Sequence, residues 1–178
     1  MTTVFSASWG RCTWIMTLIF LLILLGVGGL FSVIGVRIGS QSRPGLILFL
    51  GIGSACLLSV PITAIFAPLG YAVGPRAVTV IRFASNVDVP LEDITEVEAV
   101  QLKGVIRVFG NGGAFGFWGT FSSKAFGTFQ AYVTRSDNFV ALKRRSGRPI
   151  VLSPDSPIDL VRAVQDALAG YRKEGQVE

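Results

Sequence analysis

Two long stretches of this chain carry no charge. One lies between Arg11 and Arg37, the other between Arg43 and Arg76. All 11 acidic residues fall at or after Asp88, and before that point the only charged side chains are Arg11, Arg37, Arg43, Arg76 and Arg82. Soluble domains average ~25% charged residues. This chain has 15%, against 51% apolar. A simple cytosolic enzyme would have to solvate the apolar front with almost no charge, and disorder is excluded by the hydrophobicity.

Residues 15–36 are mostly apolar. As a helix they would extend ~33 Å at ~1.5 Å per residue, enough for a ~30 Å hydrocarbon core. Trp9 and Trp14 stand where interfacial aromatics belong. Residues 46–67 form a second apolar run, with Pro61 inside it and Pro68 after it. The first proline predicts a kink and the second an end. The connector, residues 39–45, is short and turn-like. The expectation is a transmembrane hairpin with spans over about 15–38 and 46–67. A cleaved signal peptide is the competing reading. The run is longer than the ~7–15 residues of a signal's apolar region, and no A-x-A site follows.

Small residues recur at helical spacing in both spans. Gly51, Ala55 and Ser59 form one row, Gly28 and Ser32 share a face, and Gly35 and Gly39 make a GxxxG. Such rows let helix backbones approach in lipid, either within the hairpin or between copies. Neither span carries an acidic or His side chain, which argues against ion or proton transport. Arg11, the N-terminal amine, Arg76 and Arg82 flank one side of the hairpin, and Arg37 and Arg43 the other. That balance leans towards both termini in the cytoplasm. Cys12 and Cys56 lie in or beside the spans, so there is no disulfide framework to set against that lean.

The remainder reads as strands followed by one helix. Candidate strands are 77–83, 87–91, 94–101, 105–109, 128–135, 139–144 and 149–152. Phe129, Ala131 and Val133 face one way in the fifth of these. Residues 145–148 form a hairpin turn between the last two. Ser156-Pro157 opens a helix with Asp159 in its first turn. Its apolar stripe is Leu160, Val161, Val164, Ala167, Leu168 and Tyr171, and Arg172-Lys173 suit its C-terminal end. The expected class is α+β: a two-helix hairpin, then a small antiparallel barrel or sandwich of about six or seven strands, closed by the helix. Residues 1–13 and 173–178 read as tails, 14–69 as the hairpin and 70–172 as the folded domain.

That order, with Val89-Pro90-Leu91-Glu92-Asp93-Ile94, the segment 109–116, Gly119-x-Phe121, Gly127, Tyr132-Val133-Thr134 and Leu152-Ser153-Pro154-Asp155, resembles the bacterial PH-like (pleckstrin-homology-like) membrane proteins. In those, one or two spans precede a PH-like domain. The resemblance implies that fold over about residues 70–170 and brings no catalytic residue with it. Fold likeness alone does not give a function.

Two surfaces invite a binding reading. Between Gly104 and Gly127, glycines interleave with Phe109, Phe115, Phe117, Trp118, Phe121 and Phe126. Either the aromatics are core and the glycines are bends of a curved sheet, or some aromatics, with Phe115, Phe117 and Trp118 foremost, sit at a bilayer surface. Lys103, Arg107 and Lys124 would then meet anionic head groups. Gly110-x-Gly112 does not continue as a nucleotide loop, because Phe115 stands where the last glycine is needed. The second surface is Lys143, Arg144, Arg145 and Arg148 on one turn. It is either an anionic-lipid or partner contact, or a solvated turn.

Catalysis finds little support. The chain has no His, which removes His-based acid–base chemistry, Ser-His and Cys-His pairs and typical zinc sites. Glu96 and Glu98 share a strand face, able to hold a hard cation or simply to be solvated. Ser123 and Lys124 are adjacent, so on a strand they point apart. Residues 76–178 hold 13 basic and 11 acidic residues, a net +2, with no recognisable nucleic-acid module.

The expected function is therefore a non-catalytic, membrane-anchored binding or scaffolding module without cofactor or metal, multi-pass in the inner membrane with its C-terminal domain cytoplasmic. Its partners would be the bilayer, anionic lipid head groups, a protein bound in a groove of the sheet, or further copies of itself. One alternative is a structural subunit assembled through the Gly51/Ala55/Ser59 row. Another is a membrane-associated hydrolase, for which catalytic groups are wanting.

Overall fold

The computed structural model describes residues 2–38, 43–124 and 126–174. Strand β1 (Thr3–Ser6) leads into helix α1 (Arg11–Ile38), and helix α2 (Arg43–Ile65) leads into strand β2 (Pro68–Val73). β1 and β2 pair antiparallel, Thr3 opposite Val73 and Ser6 opposite Gly70. The helices are therefore inserted between two neighbouring strands of one sheet. The stretch expected as an N-terminal tail supplies the edge strand of that sheet.

α1 and α2 pack along a seam of small residues. A Cβ on Gly28 would lie 3.2 Å from the Gly53 carbonyl oxygen, and one on Gly53 would lie 2.9 Å from that of Gly28. The Ser32 hydroxyl donates to the Gly28 carbonyl at 2.8 Å at the same crossing. Gly35 continues the seam against Phe49 and Leu50. Gly51 and Ala55 lie off it: nothing comes within 4 Å of a Cβ on Gly51, and Ala55 is exposed. Ser59 is half-buried and donates to the Cys56 carbonyl at 2.7 Å. The central connector (39–42), with Gly39 of the GxxxG, and the terminal residues 175–178 lie outside the described residues. α2 runs on through Pro61. Both helices are long and apolar enough to cross a membrane, and only 11% and 6% of their most apolar windows are buried. A core helix of a soluble domain would be mostly buried.

The first sheet has the order β1-β2-β3-β4, with β3 at Ala77–Arg82 and β4 at Val87–Pro90. A 3-10 turn, Leu91–Asp93, carries the chain to the second sheet. That sheet is built from β5 (Ile94–Val100), β6 (Ile106–Gly113), β7 (Gly116–Ser123), β8 (Gly127–Val133), β9 (Phe139–Arg144) and β10 (Ile150–Leu152), in the order β5-β9-β10-β8-β7-β6. Its topology differs from the expected antiparallel arrangement in one place. β10 is antiparallel to β9 but parallel to β8. Residues 134–138 span a gap one strand wide, and the turn after β9 folds β10 back into it. Ten strands are present among the described residues, more than the six or seven expected, and the two sheets stay open at their edges.

The main core lies between the sheets and beneath α3 (Pro157–Glu174). Leu160, Val164 and Leu168 of α3 are buried there. The helix starts where the sequence places it, the Leu160 N–H bonding to the Ser156 carbonyl at 3.1 Å. Tyr71 ties the layers together. It is fully buried, donates to the Tyr132 carbonyl at 2.6 Å and accepts from the Ser153 N–H at 3.0 Å. Burial pushes its phenol up to about 12.

The central strands of the second sheet are buried on both faces. Val140 and Leu142 of β9, with Ile150 and Leu152 of β10, join the main core. Ala141 and Val151 face the other way, towards Phe121, Phe129, Ala131 and Val133. Strands apolar at consecutive positions have this two-sided burial. The outer face of the sheet thus carries an apolar layer of its own.

Candidate functional site

That outer layer is the floor of a trough of about 470 Å³. β7 contributes Phe117 and Phe121, β8 contributes Phe129, Ala131 and Val133, and β10 contributes Val151. Phe121 and Phe129 stack at 6.3 Å between ring centroids, and Phe126 meets Phe129 edge-on at 5.8 Å. Leu102 and Val105 form one wall and Phe139 another. Two cations complete the lining, Arg107 of β6 and Arg135 after β8. Arg135 is engaged by Asp137 at 2.9 Å and by Asp155 at 3.4 Å. The guanidinium in turn holds the Asp137 carboxyl below the usual range. The Arg107 side chain has no hydrogen-bond or ion-pair partner among the described residues, and its guanidinium reaches along the trough to Gly112.

The hairpin of β6 and β7 is bent so that its tip meets α1. Gly110 and Gly119 sit opposite one another, both at positive φ. A Cβ on either would collide with backbone of the other strand. The pair therefore permits a close approach that no larger residue allows. At the tip, Asn111 Nδ2 donates to the carbonyls of Ala114 and Gly116. The Phe115 N–H donates to Thr17 Oγ1 at 2.8 Å. Gly113 lies against Met16. One turn earlier on α1, Thr13 Oγ1 donates to the Thr134 carbonyl at 2.6 Å. Trp9 packs on Trp14 at 4.8 Å and on Phe115 at 5.9 Å, and Phe20 meets Phe115 at 6.3 Å. An aromatic collar thus surrounds the point where α1 leaves the strands.

The description "Bacterial PH domain" fits residues 69–168 of the sequence. The chain belongs to this family. The matched segment starts at the second residue of β2 and ends within α3, so it takes in the trough and most of the main core. No curated protein and no solved structure matches the chain. For a bacterial PH domain the general expectation is a binding or scaffolding module.

Against this family fold, the basic turn is not four free cations. The Lys143 ammonium lies 2.9 Å from both Glu96 and Glu98, so those carboxylates hold a side-chain cation. Arg144 Nε lies 2.6 Å from Asp93. The other Asp93 oxygen accepts from the Ser146 hydroxyl at 2.7 Å and from its N–H at 2.8 Å. These Ser146 bonds first, and Arg144 second, hold the Asp93 carboxyl down at about 2. Arg148 reaches Thr120 Oγ1 at 3.3 Å. The Arg145 side chain has no partner among the described residues, and Lys124 is exposed on another turn. The register puts this turn at the end of β9 and β10 away from α1. Leu152 and Val140 lie towards Ser153, whose hydroxyl accepts from Thr134 beside Gly10, whereas Ile150 and Leu142 lead to the basic turn.

The three aromatics singled out from the sequence are also separated. Phe115 belongs to the collar and Phe117 to the trough, while Trp118 packs on Phe66 at 5.6 Å. The large exposed apolar residues of the hairpin are instead Ile106, Val108 and Phe109, the last 77% exposed. Sequence reasoning missed this edge and the trough. The signal for the trough was present in Val140-Ala141-Leu142 and Ile150-Val151-Leu152, which leave no polar face.

Proposed function

We propose that the chain is a multi-pass protein of the bacterial inner membrane, anchored by α1 and α2, whose PH-like domain is a non-catalytic binding module at the cytoplasmic surface. One observation carries the anchoring. Both helices are inserted between the paired strands β1 and β2, so two unburied apolar helices leave the domain from one edge. The aromatic collar of Trp9, Trp14 and Phe115 lies at that edge, where a bilayer interface favours such rings. Arg11, Arg76 and Arg82 on the domain side, against Arg37 and Arg43 at the connector, support a cytoplasmic domain. With Lys143 and Arg144 occupied by carboxylates, the outer face of the second sheet is the better binding surface.

The test is extraction of native membranes with alkaline carbonate, followed by proteolysis of inverted vesicles and of intact spheroplasts. The protein should stay with the carbonate-washed membrane, and its domain should be cleaved only in inverted vesicles. Release by carbonate would overturn the anchoring. Cleavage in intact spheroplasts would overturn the orientation.

A further inference from the structure

We infer that the trough on the outer face of the second sheet binds a long-chain fatty acid, with its carboxylate on Arg107 and its hydrocarbon chain along Phe117, Phe121 and Phe129. The inference deepens the proposed function and rests on it for the source of the ligand, the adjoining bilayer.

The cavity, about 470 Å³, falls within the ~300–1,000 Å³ usual for small-molecule sites. Its floor is aromatic and aliphatic, and among the described residues its lining includes two arginines and no acidic side chain. Arg135 is already engaged by Asp137 and Asp155, which leaves Arg107 as the lining cation without a partner among the described residues. A guanidinium offers a planar fork of donors that matches one carboxylate. The complementary ligand is therefore apolar along its length and singly anionic at one end.

The glycine at position 112 gives Arg107 its place. A Cβ there would fall 2.7 Å from Arg107 Nη1. The guanidinium thus lies beside Gly112 near the tip of the hairpin, and the next residue, Gly113, lies against Met16 of α1. The chain of the ligand then runs away from α1. Phe117 to Phe121 covers ~13 Å at ~3.3 Å per residue. A peptide fits less well. The strand backbones under the trough are paired in the sheet, and a peptide laid across them would bury its own N–H and C=O groups unsatisfied.

The full chain in phosphatidylcholine nanodiscs is irradiated with a diazirine-bearing palmitic acid, and labelled peptides are mapped by mass spectrometry. Label is expected on β7 and β8 as well as on α1 and α2. In Arg107→Gln, the β7 and β8 label should fall about tenfold, the loss of one charge-assisted contact. The methyl ester of the probe should label them as weakly. Gly112→Val, which displaces the guanidinium without changing its charge, should do the same. Arg107 is exposed, so its replacement leaves the core intact. Label on α1 and α2 but not on β7 and β8 would overturn the fatty-acid site while supporting the anchoring. Absence from α1 and α2 would overturn the anchoring instead. Undiminished label in Arg107→Gln would overturn the carboxylate assignment.

Discussion

The Phe115 N–H donates to the Thr17 hydroxyl at 2.8 Å, across 98 positions of sequence. It fixes the tip of the β6–β7 hairpin to α1 more than one turn beyond the start of that helix. Thr17 is only 3% exposed, so its hydroxyl is shielded from water. The domain is consequently braced against α1 in addition to being joined to it by chain.

Thr17→Val removes that acceptor at nearly constant volume. A part-buried N–H left unpaired costs less than the ~1–3 kcal/mol of a fully buried one. Amide exchange at Phe115 should accelerate accordingly, with Thr17→Ser restoring protection. Unchanged exchange in the valine variant would show that the contact does not brace the tip.

The hairpin seam should distinguish two glycines only two residues apart, on opposite faces of α2. Gly53→Leu would place its Cβ against Gly28 O and Ser32 Oγ, whereas Gly51 meets nothing within 4 Å. Overpacking of this kind costs about 1–3 kcal/mol. Thermal unfolding in nanodiscs should show a clear loss for Gly53→Leu and little for Gly51→Leu. If the row with Ala55 and Ser59 served assembly, Gly51→Leu would alter the oligomeric state without altering the hairpin.

Acid stability should depend on Asp93. Its carboxyl sits at about 2 in the folded protein, against ~3.9 when unfolded. The unfolded chain therefore takes up the proton first, and the stabilisation present above about pH 4 is lost as pH falls towards 2. Asp93→Asn should be less stable at neutral pH and show a shallower decline between pH 4 and 2 in urea titrations. An equally steep decline would assign the acid lability to other carboxylates.

At the alkaline end the sign reverses. Burial raises the Tyr71 phenol from 10.0 to about 12. The unfolded state loses its proton first, so stability is full below pH 10 and declines towards pH 12. Tyr71→Phe should remove that component of the decline. It should also cost about 1–3 kcal/mol at neutral pH, because the buried Ser153 N–H loses its acceptor.

Much of this fold was legible because its signals are local. The apolar runs mark α1 and α2, Ser156-Pro157 marks the start of α3, and β9 was placed at 139–144 to the residue. Three strands were not legible. β1 is four residues long and finds its partner only across the whole hairpin, Thr3 against Val73. β2 begins at Pro68, which reads as the end of the second span, and its residues Leu69–Val73 show no alternation of polar and apolar side chains. β7 is rich in glycine, a poor strand former. The site was obscured for a different reason. Charge counting found Lys143 and Arg144 but not the carboxylates that neutralise them, since Asp93, Glu96 and Glu98 are brought close by the β5–β9 register. Arg107 drew notice only as one of three cations near the aromatics, and its isolation from acid depends on tertiary placement.

The central claim is that α1 enters a bilayer at the level of Trp14. It is tested most directly by depth-dependent quenching with brominated lipids. Trp14, 61% exposed on α1, becomes the sole indole in a Trp9→Phe/Trp118→Phe variant. It should be quenched most by bromine near the head groups. A tryptophan placed by Leu22→Trp in a Trp9→Phe/Trp14→Phe/Trp118→Phe background should be quenched most by bromine deep in the acyl chains. Equal and weak quenching of both, whatever the bromine depth, would contradict the account.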